Sequence, residues 1–327
     1  RNVVLKTIQA GPDSSTVTNI PEVELTAYDP DTDPVVEGDT EGSVSFADTT
    51  DSVRIEYNGN PYLVVLDNDS AAKVALFDES GPSISTYDQN GTTWTQAGSS
   101  LTVSGSTNAS IAAMTQTRIA FVDHGNKELR AYDWDGSNWT LTGSALALTF
   151  PGTAAQAHVA RLSDTTVCVV KMMSGLDHIE TYSFNGSSWS KVGNTGEISA
   201  TFNPTGIAAL SSTRVETIRL ADYKMYVYDF SGTDWSVTGI GTLTNATVDS
   251  WPQVVGMTST RVAQIDGDFK KIQMYEFNGT SFSAVGNAGT ISGAGSITRM
   301  ASLSETRVAF IDSSNDDLRI YDFDGTD

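Results

Sequence analysis

Near its carboxyl end the chain reads Thr306-Arg307-Val308-Ala309-Phe310-Ile311-Asp312, and then Leu318-Arg319-Ile320-Tyr321-Asp322-Phe323-Asp324-Gly325. Both phrases return along the chain with drift. The tyrosine of the second phrase recurs at Tyr87, Tyr132, Tyr182, Tyr228, Tyr275 and Tyr321, at intervals of 45, 50, 46, 47 and 46 residues. The arginine of the first phrase is answered by Lys73, Arg118, Thr166, Arg214 and Arg261. A period of this length filled with short strand-like runs is the mark of a radial β-repeat, one blade per copy.

One copy reads as four strands. Ile297–Leu303 is the first. Arg307–Ile311 is almost wholly apolar, as expected of a strand buried on both faces. Leu318–Phe323 alternates. An Asn-Gly or Asp-Gly pair follows at Asn90-Gly91, Asp135-Gly136, Asn185-Gly186 and Asn278-Gly279, with Ser231-Gly232 as the variant. Such pairs favour a two-residue type I′ hairpin, which needs positive φ at both positions. A run such as Trp139–Gly143 then supplies the fourth strand. The expected fold is all-β: a six-bladed β-propeller of four-stranded antiparallel blades, preceded by an extended N-terminal arm.

The last copy stops at Asp327, before its outer strand. A strand from residues 43–58, either Ser43–Phe46 or Val53–Tyr57, is expected to complete it and remove the exposed edge; the rival reading is that the natural chain continues. The domain division is therefore residues 1–42 as the arm and residues 43–327 as the propeller. In the arm, Val3, Val4, Leu5 and Ile8 form one apolar run, and Gly11–Ser15 and Tyr28–Asp39 have turn and linker composition.

Asp and Glu outnumber Lys and Arg by 40 to 19, a net charge of −21 spread over the chain. That sign repels nucleic-acid phosphates and anionic membrane surfaces. No apolar run approaches the ~20 residues of a membrane-spanning helix. Partners of neither kind are expected. The single cysteine, Cys168, lies in an apolar run and reads as a buried inert thiol.

Candidate chemistry begins with the tryptophans. Trp94, Trp139, Trp189 and Trp235 share one blade position, where Phe282 stands in the fifth copy. Aromatics at equal angles can form a ring of sugar-stacking sites. The competing reading is that each packs against the next blade. Trp134 and Trp251 fall off this pattern and are the better candidates for a surface role. The repeated arginines Arg118, Arg214, Arg261 and Arg307 can bind carboxylates, or can make ion pairs or backbone contacts between blades. Asp29–Asp33 has alternate oxygen ligands but lacks the glycine and distant glutamate of a calcium loop. His124, His158 and His178 have no metal-type spacing. No Gly-x-Ser-x-Gly elbow or phosphate loop is present. No catalytic residue, metal or cofactor is assigned, although two carboxylates would suffice for a glycosidase.

The phrases Thr306–Asp312 and Leu318–Gly325 resemble a repeat found in uncharacterised bacterial and tailed-phage virion proteins with propeller domains, over about Asn60 to Asp327. They do not match the Trp-Asp dipeptide, the kelch glycine pair or the sugar-site motifs of propeller lectins. The opening arm is similar in style to anchoring segments of virion fibres and decoration proteins. The resemblance implies a non-enzymatic virion-surface protein, a head or tail fibre, spike or decoration protein. Its arm would contact other virion proteins and its ring would adhere to host glycans. The alternative is a secreted or cell-surface carbohydrate-binding propeller lectin; a hydrolase hidden in the ring is the third reading.

Overall fold

The computed structural model describes residues 53–54, 62–67, 72–78, 81–90, 93–103, 109–150, 156–172, 177–198, 204–219, 222–243, 252–266, 271–291, 297–312 and 317–325. The arm with Val3, Val4, Leu5 and Ile8, the Asp29–Asp33 run, the Ser43–Phe46 run and Trp251 all lie outside these residues.

Among the described residues the strands form six four-stranded antiparallel sheets. The first blade is Tyr62–Asp67, Lys73–Asp78, Ser83–Asn90 and Thr93–Thr102. The second is Ser110–Thr115, Arg118–Asp123, Glu128–Trp134 and Trp139–Ala147. The third is Gln156–Arg161, Thr166–Met172, Asp177–Phe184 and Trp189–Ile198. The fourth is Pro204–Ser211, Arg214–Arg219, Lys224–Phe230 and Trp235–Thr242. The fifth is Gln253–Gly256, Arg261–Asp266, Lys271–Phe277 and Phe282–Thr290. The sixth has Ile297–Ser304, Arg307–Asp312 and Asp317–Asp322. On its outer edge Val53–Arg54 pairs antiparallel with Leu318 and Asp317, so the chain enters the ring at that edge.

Burial follows strand position. Second strands are buried on both faces, as in Ile119–Val122 and Val308–Ile311, which is why they are almost continuously apolar. Outer strands are mostly exposed. The core is divided into six apolar clusters, each built from two neighbouring blades. One of them joins the last blade to the first, through Val74, Leu76 and Trp94 packed with Ala309, Ile311, Leu318 and Ile320. Side-chain packing therefore closes the ring.

The hairpin between third and fourth strands differs from the type I′ turn expected. Four residues, Asp135 to Asn138, lie between the strand ends at Trp134 and Trp139. Only Gly136 among them has positive φ, +100°. The turn is held by the Asp135 side chain, whose Oδ1 accepts from the Ser137 and Asn138 amides at 2.7 Å each. Asn185, Asn278 and Ser231 do the same in their blades. The Asp/Asn preference thus arises from side-chain acceptance in an Asx turn rather than from tolerance of positive φ.

Candidate binding site in the axial channel

The repeated residues are consumed by the ring itself. Arg118 grips Asp133 on the neighbouring strand of its own blade, Nε to Oδ1 at 2.6 Å and Nη2 to Oδ2 at 2.8 Å. Arg214 with Asp229, Arg261 with Glu276 and Arg307 with Asp322 repeat the pair, and Lys73 with Asp88 substitutes for it. The hydrogen bond from Arg118, assisted by its charge, holds the Asp133 carboxyl below the ordinary range despite partial burial. These pairs lie within blades, not between them. What crosses to the next blade is the guanidinium face: Arg118 stacks over Phe184 at 5.2 Å, Arg214 over Phe277 at 5.3 Å and Arg261 over Phe323 at 5.9 Å. No ring of carboxylate-binding arginines is left over.

Trp94, Trp134, Trp139 and Trp189 are spent on packing, against the sugar-stacking expectation for these four. Trp94, Trp139 and Trp189 are 5%, 3% and 6% exposed, so no sugar ring can reach their faces. Trp139 Nε1 donates to Thr86 Oγ1 of the preceding blade at 2.8 Å. Half-buried Trp235 donates likewise to Thr181 at 3.1 Å. The acceptor is the residue just before the repeat tyrosine. Where that residue is Ala131 or Ile320, the indole nitrogen of the following blade, Trp189 or Trp94, is buried with no hydrogen-bond partner among the described residues. Where it is Val227, the following blade carries Phe282 instead. Trp134 is not off the pattern. It occupies the place of Phe184, Phe230 and Phe277, is buried, and packs on Trp139 at 5.3 Å as Phe184 packs on Trp189 at 4.8 Å.

A further interblade contact escaped the sequence reading. Four residues after the repeat tryptophan stands a glycine: Gly98, Gly143 and Gly193, with φ of +61°, +69° and +69°. The next amide donates across to the turn of the following blade: Ser99 to Ser137 O at 2.8 Å, Ser144 to Ser187 O at 2.8 Å and Asn194 to Thr233 O at 2.7 Å. The recurring Trp-x-x-x-Gly spacing was its available signal.

What varies from blade to blade is the lining of the axial channel. The first strands of all six blades enclose a cavity of about 300 Å³. At one register level it presents Ser110, His158, Gly206, Gln253 and Arg299, from blades two to six in turn. Ser110, His158 and Gln253 are buried. Ser110 Oγ accepts from the Val159 amide of the adjoining blade at 3.1 Å, which fixes its position. Two residues along the strands lies a collar of Val64, Ala112, Ala160, Ala208, Val255 and Ala301. Behind this collar the second strands carry Ala75, Ala120, Cys168, Ala263 and Ala309, except in the fourth blade, where Glu216 backs Ala208.

Glu216 is 0% exposed and Gln264 of the fifth blade 1%. Strand alternation puts both at the interface that buries Ile218 and Val262. Neither Glu216 oxygen and neither Gln264 amide atom has a hydrogen-bond partner among the described residues. Desolvation alone pushes the Glu216 carboxyl well above its ordinary value, so it is held as the neutral acid. In the third blade a different buried network holds Glu180. Burial pushes its carboxyl up, but hydrogen bonds from Lys171, Tyr182 and Lys191 outweigh this and bring it to about 2. Burial likewise raises the Cys168 thiol, leaving it protonated and inert.

Among the described residues no group of three His, Cys, Asp or Glu could hold a metal ion. Within the same residues, no helix is long and apolar enough to cross a membrane.

No family model matches the chain, and no curated protein matches it. Solved structures match its fold. A protein from Lactobacillus plantarum aligns at a TM-score of 0.60 and 11% identity, covering 83% of this chain and 82% of that one. The Cps50 (Swd1) β-propeller domain of Myceliophteria thermophila aligns at 0.53 and 9% identity, covering 84% and 98%. YCF48, solved bound to a D1 peptide, aligns at 0.52 and 9% identity, covering 84% and 94%. At these identities the likeness is one of fold: this chain is a propeller.

Proposed function

We propose that this chain is a non-enzymatic structural and binding protein of a virion surface, a fibre, spike or decoration protein. In this reading residues 1–42 attach it to the particle and the ring engages a host glycan through its axial channel. One observation carries the binding role. Residues that repeat are committed to ion pairs, interblade packing and turns, whereas the residues that differ between blades meet at one level of the channel. A scaffold alone has no need of four different polar residues, Ser110, His158, Gln253 and Arg299, at its axis. A symmetric ring that presents an asymmetric set of hydrogen-bonding groups is suited to one bound orientation of an asymmetric ligand. The virion setting is supported by the likeness of the Thr306–Asp312 and Leu318–Gly325 phrases to repeats of tailed-phage proteins.

The test has two arms. Full-length chain and chain lacking residues 1–42 are compared for attachment to particles, with the melting of each recorded. Attachment of the shortened ring refutes the role of the arm. A glycan array probed with the full-length chain tests the ring, and a blank array refutes adhesion.

A further inference from the structure

We propose that the outer edge of the sixth blade is a docking groove for the chain's own residues 46–52, with Phe46 seated as that blade's repeat aromatic. The occupant is a segment of this chain that lies outside the described residues. The inference is independent of what the channel binds.

The groove is defined by what the other blades place there. In five of them a fourth-strand aromatic stands opposite the residue two after the repeat tyrosine: Trp94 opposite Gln89, Trp139 opposite Trp134, Trp189 opposite Phe184, Trp235 opposite Phe230 and Phe282 opposite Phe277. Where both are aromatic, the rings pack at 5.3, 4.8, 5.0 and 5.0 Å. In the sixth blade Phe323 holds the first of these two places, and no described residue holds the second. Phe323, Val308 and Thr306 line an interblade cavity with Ile272 and Met274 of the fifth blade. Met274 is the counterpart of Thr86 and Thr181, which Trp139 and Trp235 reach in their own preceding blades. This cavity is therefore the slot where a fourth-strand aromatic would meet the fifth blade. Met274, like Val227 beneath Phe282, offers no hydroxyl to an indole and suits a phenyl ring.

Register names the occupant. In four blades the residue three before the repeat tyrosine pairs with one seven beyond the aromatic: Ile84 with Leu101, Leu129 with Leu146, Ile179 with Gly196 and Ile272 with Gly289. In the fourth blade the span is six, Met225 with Gly241. The equivalent residue of the sixth blade is Leu318, and it pairs with Val53 in the same antiparallel sense. Seven residues before Val53 stands Phe46, the one aromatic between Ser43 and Ser52. The pairing already made by Val53 and Arg54 thus continues back along Arg319–Asp322, covers that edge and brings Phe46 opposite Phe323. Thr50 falls where Gly98, Gly143 and Gly193 stand in their blades, so the staple to the next blade is not repeated here. The aromatic is left as the contact that seats this strand.

Hydrogen exchange read by mass spectrometry on the full chain tests the docking directly. Peptides over residues 46–52 are expected to be protected like those over Trp139–Ala147 and unlike those over residues 28–39. Phe46→Ala should lower the melting temperature by at least about 5 °C. Tyr28→Ala, which removes an aromatic from the arm, should leave it unchanged. If Phe46→Ala fails to fold, exchange on the unaltered chain decides. Exchange over residues 46–52 as fast as over residues 28–39 overturns the proposal, as does equal melting of the two variants. Protection that is lost as a dimer dissociates on dilution overturns it too, because the occupant would then be a second copy's segment.

Discussion

Replacing Gly143 with alanine isolates the staple between blades. Gly143 has φ +69°, a left-handed conformation that costs an L-residue ~1–2 kcal/mol. A Cβ built there would lie 2.8 Å from the Ser187 Cα and closer still to the Ser187 carbonyl oxygen, backbone that cannot step aside. The outer strand must retreat, and with it the Ser144 amide that donates to Ser187 O at 2.8 Å. Losing that bond adds ~0.5–1.5 kcal/mol. The total, about 2.5 kcal/mol, corresponds to roughly 5–10 °C in melting temperature for a large domain. Gly136→Ala is the control. It shares the positive φ, +100°, but its Cβ would meet nothing within 4 Å, so it should lose only the conformational part. Melts followed by far-UV circular dichroism, with urea midpoints as a second measure, read the difference. If the two variants melt together, the contact with the next blade carries nothing and the reasoning is wrong.

Glu216→Gln should stabilise the protein at neutral and alkaline pH. The folded carboxyl sits above its ordinary value of 4.5, so the stability it supports is complete below that pH and is lost as pH rises towards the folded value. A urea midpoint that falls between acid and neutral pH in the parent, and falls less in the variant, is the expected result; parallel profiles would refute it. Trp139→Phe should cost ~1–2 kcal/mol more than Trp189→Phe, because only the first abandons a buried threonine acceptor, Thr86. Thr166→Arg combined with Ser183→Asp should install the ion pair that the third blade lacks and gain up to ~1 kcal/mol, while Thr166→Arg alone gains less.

The architecture was open to sequence reading because every blade buries the same faces. A second strand covered on both sides must be apolar throughout, so Arg307–Ile311 and its relatives announce themselves. The ion pairs were equally visible in principle: Arg118 and Asp133, Arg214 and Asp229, and Arg307 and Asp322 are each 15 residues apart. The third blade loses both partners together, carrying Thr166 opposite Ser183. Such paired loss marks a cross-strand contact. The hairpin misled because Asp-Gly and Asn-Gly serve two turn types. One uses the tolerance of these residues for positive φ, the other uses the side-chain oxygen as an acceptor, and the letters are the same.

The channel was hidden for a different reason. Ser110, His158, Gly206, Gln253 and Arg299 share a level only after six first strands are arranged about an axis, and no two of them are alike. In a ring what recurs is what neighbouring blades need from each other. The tryptophans are the plainest case: their regular spacing suggested a multivalent surface, yet the spacing exists because each must meet the preceding blade, and Trp189 even does so with its indole nitrogen unpartnered among the described residues. Selection for a closed ring acts on every copy alike and preserves the consensus. Selection for a ligand on the axis acts on each copy separately and erodes it there. In a radial repeat the departures from consensus that converge on the axis, rather than the most regular aromatics, are therefore where binding should be sought, and Ser110, His158, Gln253 and Arg299 are such departures.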